Sequence, residues 1–168
     1  MTIKTQDQIN ADLADNQTRS ITPENIRDFA DSVIGVGGTM YATDVTLDVT
    51  AAWEPITVFT NSIDTKGLTD DLVNGVFTVD AGADGTYLVF GILNIDSAFG
   101  GDISVALTKN GAITPYITTY TVQAGVKVPF IISGTGDLAE GDTIGFGVKA
   151  SGSASVTLVH GSLRASRI

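Results

Sequence analysis

Histidine and carboxylate side chains are the groups in this sequence that chemistry could use. His160 is the single histidine, so a Ser-His-Asp set could exist only around it. No Gly-x-Ser-x-Gly turn presents a serine nucleophile, and a lone histidine within the Ser155 to Arg164 run reads as structural. Paired carboxylates could act on glycosidic bonds. Asp64, Asp70, Asp71 and Asp84 supply the residue type, but they lie in turn-like stretches where aspartate serves the backbone. The same four are hard oxygen ligands for calcium, yet no stretch has the alternating spacing of an EF-hand loop. Cysteine is absent, which removes disulfides, thiolate catalysis and sulfur-ligated zinc. Gly35-Val36-Gly37-Gly38 follows a helical stretch instead of preceding one, so it cannot cradle a phosphate at a helix N-terminus. Trp53, Tyr41, Tyr116 and Tyr120 could line a sugar-binding surface, although such residues are also ordinary components of β-sandwich cores and interfaces. The expectation is a protein that is not an enzyme, with no catalytic residues, metal or cofactor.

What would position any such group is set by composition. The chain has 168 residues, 43% hydrophobic and 17% charged, enough to bury one core with at most a small appendage. Its formal charge of −10 repels phosphate backbones and anionic lipid, so neither nucleic acid nor membrane is an expected partner. Met1 to Asn10 has no apolar centre for a signal peptide, and the longest nearly unbroken apolar run, Tyr87 to Leu93, is too short to span a bilayer.

Residues 5 to 34 carry helical spacing. Thr5 and Gln8 can form a capping box before Ile9 and Leu13, which share one face. After a polar stretch, Thr22 suits an N-cap, Pro23 the first helical position, and Glu24 the positive end of the dipole. Ile26, Phe29, Ala30, Val33 and Ile34 then form one apolar stripe that ends at Gly35. Two helices this short cannot cover their own stripes. The cover must come from the downstream domain, a second copy of the chain or a larger assembly.

Beyond residues 35–38, which read as a glycine-rich linker, the period becomes 2. Thr39 to Val49, Pro55 to Phe59, Val76 to Val79, Thr86 to Ile95, Ile103 to Lys109, Ile113 to Val122, Lys127 to Ser133, Thr143 to Lys149 and Ser155 to Arg164 have strand composition, separated by Gly, Asn and Asp. Strands at this spacing make a sandwich or barrel. In Thr86 to Ile95 both faces are apolar, with Tyr87, Val89, Leu93 and Ile95 on one and Leu88, Phe90 and Ile92 on the other. Tyr87, Val89, Phe90, Ile92 and Leu93 are therefore candidates for core or trimer packing, the second face being covered by another segment or another subunit.

The order of these strands resembles the C1q/TNF-like jelly roll over about Thr39 to Arg164. The resemblance runs through Phe77-Thr78-Val79, then Gly85-Thr86-Tyr87-Leu88-Val89-Phe90, then Val105-Ala106-Leu107-Thr108-Lys109-Asn110-Gly111. It continues through Leu138-Ala139-Glu140-Gly141-Asp142-Thr143-Ile144 and Val156-Thr157-Leu158-Val159-His160-Gly161-Ser162-Leu163. It implies a sandwich that forms tight homotrimers. Ile9 to Asn16 followed by Ile21 to Ser32 resembles a helix-loop-helix at the start of tailed-phage head and tail fibre proteins, with Arg19 where a small turn residue is expected. That resemblance implies an attachment segment.

Together these give a mainly β chain: a C1q/TNF-like jelly-roll sandwich at 39–168, a linker at 35–38 and a helical hairpin at 1–34. The expected role is a trimeric virion protein, a capsid decoration or short head fibre, with Ile9, Leu13, Ile26, Phe29, Val33 and Ile34 as its anchor on a major capsid protein or another virion protein. The alternative is a tail-fibre tip or adhesin that binds a host surface glycan. No heptad run or repeat provides a shaft, which favours decoration.

Overall fold

Runs of β-branched and aromatic residues alternate in and out of one core, and this produces the strands. The computed structural model of the chain describes residues 35–57 and 59–168, with Asp64 described by its backbone alone. The helical stretches expected over residues 5–34, with Ile9, Leu13, Ile26, Phe29, Val33 and Ile34, lie outside the described residues. The strands are β1 (Gly37–Val49), β2 (Glu54–Pro55), β3 (Asn61–Lys66), β4 (Leu68–Asp71), β5 (Val76–Val79) and β6 (Gly85–Ser97). They continue as β7 (Gly101–Lys109), β8 (Ala112–Val122), β9 (Lys127–Leu138), β10 (Thr143–Ala150) and β11 (Ala154–Arg167).

Two antiparallel sheets result. The first runs β3-β1-β11-β6-β9, the second β4-β5-β10-β7-β8, and β2 pairs with β10. The chain passes between the sheets at Gly67, whose φ of 66° a side chain would resist. Asn110 (φ 52°) and Gly111 (φ 74°) close the β7–β8 hairpin in the doubly left-handed form that Asn-Gly favours. The strand expectations from composition fall on β1 and β5 to β11, whereas the one over Pro55 to Phe59 meets strand only at Pro55, the end of β2, and Ile56, Thr57 and Phe59 lie outside strands. β3 and β4, which read Asn-Ser-Ile-Asp-Thr-Lys and Leu-Thr-Asp-Asp, carry no apolar alternation and were not expected.

The core lies between the sheets, where Met40, Phe77, Tyr87, Leu93, Ile95, Ile103, Phe130, Phe146, Leu158 and Leu163 are fully buried. Two of its largest rings, Phe77 and Phe146, fit because glycine faces them, and the half-exposed Tyr116 at the edge does likewise. A methyl group on Gly91 would stand 2.0 Å from the Phe146 ring, one on Gly134 2.4 Å from Tyr116, and one on Gly38 3.1 Å from Phe77. This corrects the reading of residues 35–38 as a linker. β1 begins at Gly37, Val36 is buried, and the Arg167 N–H donates to the Val36 carbonyl at 2.8 Å. Gly37 and Gly38 are there for close packing rather than freedom; only Gly35 meets nothing within 4 Å.

Two outcomes follow from this packing. Gly91→Ala overpacks the Phe146 contact and should lower unfolding free energy by about 1–3 kcal/mol in urea, whereas Gly136→Ala, whose added methyl meets nothing within 4 Å, should not lower it. Burial pushes the Tyr87 phenol up to about 12, and its hydroxyl donates to the Ala83 carbonyl. The folded value lies above the ordinary value of 10.0, so this contribution is complete below pH 10 and is lost as pH rises toward 12. Tyr87→Phe should cost about 1 kcal/mol at neutral pH. Denaturation midpoints across pH 9 to 12 should fall less steeply for Tyr87→Phe than for the parent chain.

Candidate functional site

Strand β6 divides the sequence candidates between two environments. Tyr87, Val89 and Leu93 point into the core, while Phe90 and Ile92 point away from it on the outer face of the first sheet. Leu88 (43% exposed) and Phe90 (37%) lie on that outer face, and Ile131 (54%) joins them from β9, opposite Ile92. On the other side of β11, Tyr41 shares Ser162 with Ile92 as cross-strand neighbour, and exposed Ile63 lies opposite Thr39. The face is thus a band of large apolar side chains crossed by a polar central strand that presents His160, Ser162 and Arg164. Ile131 and Ile63 escaped the sequence reading, and Tyr41 entered it only among the four aromatics considered for a sugar-binding surface or an interface. Phe130-Ile131-Ile132 does carry the same doubly apolar signature as β6, so Ile131 had a usable signal.

The edge beside this face is closed by side chains. β9 is an edge strand of the first sheet, and its outward carbonyls are taken by groups reaching from β7 and β8. Tyr116 donates its hydroxyl to the Thr135 carbonyl at 2.8 Å, Thr118 to Ile131 at 3.0 Å, and Lys109 its ammonium to Asp137 at 2.8 Å. Tyr120 packs edge-on against Phe130 at 5.1 Å. Behind this seam lies an apolar cavity of about 60 Å³ lined by Val89, Leu107, Leu138 and Ile144 among others. That volume is far below the roughly 300 Å³ at which ligand pockets begin.

The groups considered for chemistry are dispersed. His160 stands between Thr43 and Asn94 on the outer face. Asp70 accepts a hydrogen bond from the Ser62 hydroxyl at 2.8 Å. Asp71 accepts from the Asn74 amide N–H and side chain, which hold its carboxyl below the usual range and close the turn after β4. Asp84 contributes its carbonyl to Arg167, and Asp64 falls outside the described side chains. Asp142 does comparable work in the β9–β10 turn, where Asn110, Lys109 and the Ala139 N–H hold its carboxyl well below the ordinary range. Among the described residues no three His, Cys, Asp or Glu side chains converge as metal ligands. The four aromatics do not form one surface. Trp53 lies against Gly147 with the Lys149 ammonium 4.9 Å from its ring centre, Tyr41 is on the outer face of the first sheet, and Tyr116 and Tyr120 are in the seam.

No family model and no curated protein matches the chain. Solved structures do resemble it. The globular domain of zebrafish complement 1qA is 14% identical with a TM-score of 0.56, over 79% of this chain and 97% of that one. Murine APRIL at pH 5.0 is 13% identical, TM-score 0.57, over 79% and 99%. PRD1 vertex protein P5 is also 13% identical, TM-score 0.57, over 79% and 96%. At such identities the likeness is one of fold, and the sandwich of residues 35–168 has the C1q/TNF-like jelly-roll fold.

Proposed function

We propose that this chain is a homotrimeric structural protein of a tailed-phage virion, a capsid decoration or short head fibre, and not an enzyme. The observation that carries the reading is the outer face of the first sheet, where, among the described residues, Leu88, Phe90 and Ile131 are exposed and Ile92 is half-buried. Three copies in a closed ring place each face in equivalent surroundings and leave no face to propagate. A like-folded vertex protein supports a virion location, as does the resemblance of residues 9–32 to fibre attachment segments. With three chains at −10 each, the assembly faces solvent and stays off packaged DNA.

Residues 1–34 are the attachment segment in this reading, with Ile9, Leu13, Ile26, Phe29, Val33 and Ile34 buried against a major capsid protein or another virion protein. The described chain begins at Gly35, beside β11, and ends at Ile168, whose N–H donates to Thr86 at 2.9 Å, so both termini leave one end of the sandwich. The opposite end supports a second reading, that of a tail-fibre tip or adhesin for a host surface glycan. Its connections at 50–53, 98–100, 123–126 and 151–153 carry no charged residue in a chain of −10.

Sedimentation equilibrium at micromolar concentration should give a trimer, and Ile131→Asp should give a folded monomer, because each buried carboxylate would lack a partner. A monomeric parent chain would overturn the assembly. Phe29→Asp should abolish incorporation into particles, since losing a large apolar anchor costs on the order of 2 kcal/mol or more per copy. The same variant, isolated, should keep the melting temperature and trimeric state of the parent; a much lower melting point would mean that Phe29 completes the head instead.

A further inference from the structure

A bulge puts His160, the single histidine of the chain, on the outer face of the first sheet. Val156 and Leu158 are buried in the core, and strict alternation from them would send residue 160 inward as well. The register slips instead at Val159, which is skipped in the pairing with β6, so that Val159 is half-buried and His160 exposed before Gly161 and Leu163 return to the core. β1 carries the matching irregularity. Asp44 falls between the pairs Thr43–His160 and Val45–Leu158 and has a φ of 54°, a region that residues with a Cβ seldom occupy. Two adjacent strands thus depart from regular pairing at one height, and the outcome is a histidine aimed away from the core.

His160 stands on β11, the middle strand of five, opposite Thr43 on β1 and Asn94 on β6, with Pro129 of β9 beyond Asn94. The imidazole is the one group in this row that can take a charge. Within four positions of the row on these strands, the charged residues are Asp44 on β1, Asp96 on β6 with Lys127 opposite it on β9, and Arg164 on β11. Among the described residues the imidazole has no hydrogen-bond or ion-pair partner. The next row is Tyr41, Ser162, Ile92 and Ile131, so large side chains of the apolar band flank β11 on both sides. A chain that covers both flanks also covers the outward residues of β11 between them.

We infer that protonation of His160 loosens the homotrimer, which is tight near neutral pH and weakens in mildly acidic surroundings. The inference rests on the trimer proposed above, with the outer face of the first sheet as its interface. Histidine is the side chain whose charge ordinarily changes between pH 5 and 8. A neutral imidazole between Thr43 and Asn94 can be covered by a neighbouring chain if its polar atoms find hydrogen bonds. An imidazolium in the same place loses hydration and is repeated in all three chains of the ring. Asp44 belongs to the same chain, so its attraction for the proton is present before and after assembly. Assembly therefore disfavours the proton on His160. A group that holds its proton less tightly in the assembled state contributes fully at high pH and is lost as pH falls through the histidine range.

Sedimentation equilibrium of the full chain at about pH 8 and about pH 5.5, on either side of the ordinary histidine value, tests it. A one-unit loss of proton affinity on assembly weakens each chain's contribution by about fivefold at the lower pH, and three chains multiply this to on the order of a hundredfold in the trimer association constant. His160→Gln, which keeps a polar side chain that cannot take the charge, should form the trimer at both values without that drop. A parent trimer of equal strength at both values, a stronger one at the lower pH, or the same drop in His160→Gln overturns the inference and leaves the trimer standing. A parent chain that is monomeric at about pH 8 overturns the trimer and the inference together.

Discussion

Aromatic rings laid on glycine backbones set the spacing of the whole sandwich. Phe77 and Phe146 reach from the second sheet onto Gly38 and Gly91 of the first, and Tyr116 reaches from β8 onto Gly134 of β9. A ring that fills the width of the core leaves no room for a facing side chain, so each contact requires glycine opposite. The three contacts pin β1, β6 and β9, the strands that carry the apolar outer face. Their alternation does the rest. Once Gly91 must face inward under Phe146, period 2 sends Phe90 and Ile92 outward. The exposed band on the first sheet is in this sense a consequence of how its inner side is packed.

The same sheet is closed to association along its β9 edge and open to association across its face. Three outward carbonyls of β9, those of Ile131, Thr135 and Asp137, already accept hydrogen bonds from Thr118, Tyr116 and Lys109. An incoming strand would have to displace all three, which is how natural sheets avoid open-ended pairing. Nothing comparable covers Leu88, Phe90 and Ile131 among the described residues. Face-to-face burial is directionless along the strand and compatible with closure, whereas edge pairing propagates. The described side chains obstruct the latter along β9 and leave the face free of such cover.

How much of this could be read from the sequence depended on whether a residue's role was set by its neighbours in sequence or by those across the core. The alternation in Gly85–Ser97 and the Asn-Gly turn are local signals and were legible. So was the double apolarity of β6, although only the fold assigns Tyr87, Val89 and Leu93 to the core and Phe90 and Ile92 to the outside. Gly37 and Gly38 were misread because glycine needed for freedom and glycine needed for close approach look alike until the facing ring is known. β3 and β4 were missed for a related reason. As edge strands with polar exposed positions they need little burial of their own, and the pairing that makes them strands comes from β1 and β5.

Charge is distributed along the long axis as unevenly as apolarity is across it. At the end where both termini leave, Thr69 donates to Asp80 at 2.7 Å, Thr86 to Asp137 at 2.6 Å, and Asp142 gathers Asn110, Lys109 and the Ala139 N–H. These carboxylates are fixed by their own turns, which hold them in place through hydrogen bonds within the described chain. At the far end the connections are uncharged and are tied to one another through backbone, Ser151 N–H to Asp102 at 2.8 Å, Ala150 N–H to Thr50 at 2.8 Å and Gly125 N–H to Ser97 at 2.7 Å. A partner approaching the termini end meets fixed charges of both signs, since Lys66, Lys109, Arg164 and Arg167 lie there beside the carboxylates, and charge pairing there weakens with salt. A partner approaching the other end meets small, rigid, neutral loops, where shape rather than charge decides what fits. The two ends therefore differ in physics, with fixed charges at one and neutral connections held by backbone hydrogen bonds at the other.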